Sequence, residues 1–138
     1  MRQEDKELLL QDLCCRLPYG VKVKTNNINI LKLGTHTRVG EYVTDVTEPC
    51  KPYLFPLSSM TERQTEEVHN LIYQGVSESI EETKEWLKTR KENELRPITL
   101  TYILSYTLVI DWFCKNHFDY RGLIPMGLAM DATNLNIY

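Results

Sequence analysis

Gly20-Val21-Lys22-Val23-Lys24-Thr25 alternates valine with lysine. Successive side chains of a strand point to opposite faces, so this run reads as a strand with one dry valine face and one wet lysine face. Downstream, Asn26-Asn27 suits a tight turn, because Asn tolerates positive φ. Ile28 to Leu33 then reads as a second strand, with a slip in alternation at Ile30-Leu31 that marks a bulge. A loop from Gly34 to Gly40 precedes a third expected strand over Glu41 to Val46. Pro49, Pro52 and Pro56 punctuate the next segment, and proline cannot donate to a ladder, so an edge strand or an extended strap is expected there.

Helical spacing governs the flanks. Leu9, Leu10, Leu13 and Leu17 predict a helix over 3–16 that ends at Pro18 and Gly20. Thr61 and Gln64 form a capping-box pattern ahead of a helix from Glu62 to Tyr73, with Val68, Leu71 and Ile72 inward. After Gly75 a second amphipathic stretch runs to Arg90, with Ile80, Trp86 and Leu87 on its apolar side, and 91–96 is a polar connector. Residues 98–102 alternate like a strand, but the uncharged run continues to Ile110 and favours a buried helix from about Thr101. The expected fold is therefore α+β in a single domain, 1–138: a helix over 1–17, a small antiparallel sheet of three to four strands with a strap over 20–57, helices packed on it over 61–117, and an irregular tail over 118–138.

Composition narrows the function classes. The chain has 138 residues, 42% of them apolar, which suits one domain with its own core. Pro97 to Ile110 is the longest uncharged stretch and too short to span a bilayer. Cys14, Cys15, Cys50 and Cys114 include a sequence-adjacent pair, and the N-terminus is charged and helical with no signal-peptide pattern. Free thiols and a cytoplasmic location are the resulting expectations. The net charge of −3 is unevenly spread: residues 14–58 carry +3 and residues 59–95 carry −4. This is far from the basic balance of a dedicated nucleic-acid binder.

Three segments resemble a known family: Asp12-Leu-Cys-Cys-Arg-Leu-Pro-Tyr-Gly-Val21, Lys51-Pro-Tyr-Leu-Phe-Pro-Leu-Ser-Ser-Met-Thr-Glu62, and Asn116-His-Phe-Asp-Tyr-Arg-Gly-Leu-Ile124 with Gly127-Leu-Ala129 beyond it. They are similar to proteins of phages, prophages and mobile elements in gut Bacteroidales. That pattern often has Arg where Phe55 stands, and 74–110 has no counterpart in it. The family carries no activity to transfer, so the resemblance implies a bacterial or phage cytoplasmic setting and little else.

Several groups of side chains invite chemistry. Cys114 and His117, three apart, can share a helix face and touch a metal, with Cys14 and Cys15 as the further ligands. With Asp111 the same pair makes a notional nucleophile, base and orienter, although three groups on one helix project in parallel and converge poorly. The blander reading is a buried thiol and a histidine whose charge suits a helix C-terminus. Tyr120 and Arg121 are interface-type residues that can equally hold the chain as it leaves the helix. Lys22, Lys24 and Lys32, with Arg38, can meet phosphate from the wet strand face, where Tyr42 and Tyr53 are the available stacking rings; solubilising lysines are the plainer account. No phosphate-binding glycine loop and no paired acidic nuclease motif is present.

The expected function is accordingly a non-enzymatic accessory protein that binds another protein. A nucleic-acid-binding module on the lysine face is the alternative, and a metal- or Cys-dependent enzyme the third reading. No cofactor, metal site or membrane association is expected.

Overall fold

The computed structural model describes residues 2–43, 49–73 and 100–138. Helix α1 (Gln3–Arg16) carries Glu4 and Asp5 in its first turn, where carboxylates favour the helix dipole. Its inward stripe is Leu9, Asp12, Leu13 and Arg16, spaced three and four apart. A 3₁₀ turn over Leu17–Tyr19 ends on Gly20, whose φ of 66° is left-handed and suits glycine.

The sheet has the order β2-β1-β3-β4, from β1 (Lys22–Lys24), β2 (Leu31–Lys32), β3 (Lys51–Leu54) and β4 (Met130–Asp131). β1 runs antiparallel to β2 and to β3, but β3 and β4 are parallel. The sheet is thus mixed, where a purely antiparallel one was expected. The difference comes from the supposedly irregular tail, which supplies β4 and an isolated bridge between Phe55 and Phe118.

Pro52 sits inside a central strand. The Leu54 carbonyl accepts from the Ala132 N–H on the β4 side. Backbone polar groups alternate sides, so Pro52 faces that same side, at a level before β4 begins. Its missing donor breaks no ladder bond.

The strand expected over 41–46 is replaced at its start by helix α2 (Val39–Val43), and residues 44–48 lie outside the described residues. Val39 and Val43 are four apart and both buried, a spacing that helix and strand both put on one face, but a strand would turn the exposed Glu41 to that face as well. Burial overrides β-branched propensity here. The second strand shrinks to Leu31–Lys32, leaving Ile28 and Ile30 about half exposed on the hairpin.

Helix α3 (Glu62–Tyr73) begins at the expected capping box: the Thr61 N–H donates to Gln64 Oε1 at 2.9 Å and the Gln64 N–H to Thr61 Oγ1 at 3.2 Å. Helix α4 (Leu100–Lys115) matches the helical reading of the uncharged run. The stretch expected to run to Arg90, and the connector after it, lie outside the described residues.

α4 closes in a Schellman motif, with the Phe118 N–H donating to the Phe113 carbonyl and the His117 N–H to the Cys114 carbonyl. His117 occupies the left-handed position at φ 61°, where glycine is the usual occupant. This sharp reversal aims residues 118–120 back along β3.

Two apolar clusters result. One packs α1 and α2 on the valine face of the sheet, with Leu9, Leu13, Val21, Val23, Leu33, Leu54 and Leu123 fully buried. The other lies between α3, α4 and the returning chain, around Val68, Val109, Phe113 and Phe118. Within the second cluster a disulfide between Cys15 and Cys114 ties α1 to α4, closing a sequence separation of 99. This corrects the expectation of four free thiols. Neighbours on a helix point about 100° apart, so Cys15 turns to α4 while Cys14 stays exposed and free. Pairing of neighbours is sterically poor, but pairing across the fold is not.

Candidate functional site

The register of the sheet gathers the lysines. Lys22 is directly opposite Lys32, and Lys24 directly opposite Lys51. Lys22 and Lys24 are two apart, so all four alkyl stems leave the same face, the one turned away from the valines. Alternation along the chain identifies Lys22, Lys24 and Lys32 but misses Lys51, whose place follows only from the non-local pairing of β3 with β1.

The four ammonium groups have different surroundings. Lys22 Nζ donates to the Ile137 carbonyl and lies 5.5 Å from the centre of the Tyr138 ring. Lys32 lies across Gly20 so closely that a Cβ there would stand 2.5 Å from its Cε. Lys24 and Lys51 line a half-open cleft of about 560 Å³ with Asp5, Thr25, Asn26, Pro49, Met126 and Met130. Among the described residues no carboxylate lies within ion-pair distance of any of the four lysines.

The remaining expected contacts are not on this face. Arg38 is exposed at the start of α2 and stands 3.6 Å from Glu41. Tyr120 is buried, with the guanidinium of Arg16 5.5 Å from its ring centre and that of Arg121 at 4.9 Å. Burial is the main reason its phenol is raised above its ordinary range. Arg121 is three-quarters buried and reaches Asp12 at 3.4 Å.

Asp12 and Arg16 form the buried centre of that second group. Arg16 Nε and Nη2 grip the Asp12 carboxylate at 2.8 and 3.0 Å. Its guanidinium also donates to the carbonyls of Phe118 at 2.7 Å and Phe113 at 3.4 Å. Both side chains are fully buried. Asp119 accepts from the N–H groups of Leu123 and Ile124, fixing the chain after α4. These groups serve architecture: they tie α1 to the end of α4.

Of the expected rings Tyr53 shares the lysine face, two residues from Lys51, but is not accessible there, and Tyr42 is elsewhere. Tyr53 is buried and donates its hydroxyl to the Asn29 carbonyl at 2.8 Å, and Tyr42 packs against the α1 cluster.

Nor do Asp111, Cys114 and His117 converge. Cys114 is in the disulfide and has no thiolate for nucleophilic attack or metal binding. Asp111 instead accepts a short hydrogen bond from the Tyr19 hydroxyl, which raises that phenol. His117 stacks on the Tyr138 ring at 3.7 Å between centres. Its pKa is lowered to about 4, first by burial and then by Arg16 and Lys22. It is therefore neutral near pH 7, and the expected favourable charge at the helix end is not made. No group of three or more metal-ligating side chains occurs among the described residues. No helix of the described residues is long and apolar enough to cross a membrane.

Compared with protein-family models, with curated proteins and with solved structures, the chain matches none.

Proposed function

We propose that this is a non-enzymatic binding protein whose lysine face docks an acidic surface of a partner protein. The observation that carries this is the register itself. Like charges directly opposite one another weaken a sheet. Here two such pairs stand on one face, with no carboxylate at ion-pair distance among the described residues. A polyanionic partner reverses the sign of that term on binding.

A protein suits the face better than single-stranded nucleic acid does. Stacking platforms for bases need accessible rings, whereas Tyr53 and Tyr120 are buried, Tyr42 is half-buried, and Tyr138, the exposed ring beside Lys22, already has one face stacked on His117. At the Lys24–Lys51 end the border is aliphatic, from Met126 and Met130. The resemblance to phage and mobile-element proteins of Bacteroidales supports a host or phage protein as the partner and the bacterial cytoplasm as the setting. Cytoplasmic reductants keep thiols reduced, so in that setting the Cys15–Cys114 bond belongs to an oxidised form.

Fluorescence anisotropy with a labelled oligoglutamate peptide and with labelled single- and double-stranded DNA tests the reading. The expected result is peptide binding that weakens with salt and is lost in Lys24→Glu/Lys51→Glu. DNA binding tighter than peptide binding would overturn it in favour of a nucleic-acid module. Absence of any binding at low salt would leave the lysines as solubilising groups only.

A further inference from the structure

We infer that the cleft beside Lys24 and Lys51 is the anchoring point of that face and takes an acidic side chain joined to an aliphatic neighbour. The inference rests on the function proposed above and names the part of the partner that is recognised.

The cleft opens where β1 ends, β3 begins and the chain enters β4, so three strand ends frame it. Lys24 and Lys51 stand directly opposite each other, at the spacing of adjacent strands, and so present two ammonium groups to one carboxylate. Asp5 also lines the cleft, but its carboxylate is engaged by Arg2 Nε and Nη2 at 3.3 and 3.1 Å. The local balance therefore remains positive.

Thr25 and Asn26 add neutral polar groups, and the rest of the lining is aliphatic. Pro49, Met126, Leu128 and Met130 supply it, and Met126 is 45% exposed. Methionine adapts its shape to varied side chains and recurs on surfaces that accept several partners. A volume of about 560 Å³ lies within the span of ligand pockets and holds two side chains. Among the described residues no aromatic lines the cleft, so no base or sugar ring would find a stacking wall there. A carboxylate held by the lysine pair, followed by an aliphatic group on the methionines, satisfies both halves.

The probes are N-acetyl-Glu-Leu-amide, N-acetyl-Gln-Leu-amide and N-acetyl-Glu-Gly-amide, followed by the methyl resonances of Met126 and Met130 in the full chain. The Glu-Leu probe is expected to shift both methyls in a saturable way. The other two should bind at least about tenfold more weakly, since each lacks one recognised group. Lys24→Gln/Lys51→Gln, with unchanged dispersion of the remaining spectrum, should abolish the shift. Equal responses to Glu-Leu and Gln-Leu would overturn the inference by showing that charge is not read. No shift with Glu-Leu, while oligoglutamate still binds through the lysines, would overturn the cleft and spare the docking face. Loss of both would remove both.

Discussion

Replacing Asp12 by Ala should cost about 3 kcal/mol, because it strands a fully buried guanidinium. Removing one partner of a buried ion pair costs roughly 3–5 kcal/mol, most of it the uncompensated charge. Arg16 keeps two carbonyl acceptors, Phe118 and Phe113, and the face of Tyr120, which places the loss at the lower end. Arg121 also loses a partner at its buried Nε, but its side chain is 25% exposed, so the rest of its guanidinium keeps contact with water. For a chain of this length about 3 kcal/mol lowers Tm by roughly 6–12 °C. The double variant Asp12→Leu/Arg16→Met should be much milder, within about 1 kcal/mol of wild type, since apolar replacements of buried pairs are often neutral. The two carbonyls it abandons are still served by the N–H groups of Phe118 and Tyr120. Urea denaturation of both variants at constant slope is the assay. A single variant that loses less than about 1 kcal/mol, or a double variant less stable than the single, would refute the claim that the pair is a desolvated, mutually dependent unit.

Thiol titration should find Cys14 reactive in the native protein. Cys50, buried with its pKa raised to about 11, should react only on unfolding, and reduction should release two further thiols and lower stability by up to about 4.7 kcal/mol, the chain-entropy value for a loop near 100 residues. Stability should fall as pH drops from 6.5 toward 4, because the unfolded chain protonates His117 in that window and the folded one does not. The loss from this group is at most about 3 kcal/mol, less where solvent screens the ring; His117→Asn, which tolerates the left-handed backbone, should flatten that limb of the pH profile, and an unchanged limb would exclude His117 as its cause. Tyr138→Phe removes a hydroxyl that accepts from the Lys22 N–H at 2.8 Å and donates to the Tyr53 carbonyl at 2.8 Å. About 1 kcal/mol should be lost, with faster hydrogen exchange at the Lys22 amide as the local signature.

Local periodicity carried most of the helices. α1, α3 and α4 were legible because their apolar spacing and caps are short-range signals, and the lysine–valine alternation in turn revealed β1 and its two faces. The misread elements depend on distant partners. Val39 and Val43 pack into the α1 cluster while Glu41 between them stays exposed, which a helix permits and a strand does not, and nothing near them in the chain says where that cluster lies. β4 spans two residues, Met130 and Asp131, and exists only because β3 lies beside it. The same limit hid Lys51 from the candidate site, and it hid the Cys15–Cys114 pairing, whose ends stand 99 positions apart.

The residues that look most reactive are those the fold consumes. Cys114 is bonded to Cys15, His117 is a helix cap stacked on Tyr138, and Asp12 and Arg16 neutralise each other where α1 meets α4. Buried polar groups are tolerated chiefly when partnered, so the engagement of Cys114, Asp12 and Arg16 removes them from chemistry with a ligand. His117, whose Nδ1 is buried without a hydrogen-bond partner among the described residues, is held by its backbone and by ring stacking. The lysines invert this relation. They are individually ordinary and lack carboxylates among the described residues, yet strand register forces them into opposed pairs that the fold gains nothing by keeping. A local rule broken without an internal compensation is where an external partner best accounts for the sequence. Lys22 is partly excepted, since the Ile137 carbonyl and the Tyr138 ring already hold it. Among the described residues Lys24 and Lys51 have no such tie, and that asymmetry places the centre of binding at the cleft end of the sheet.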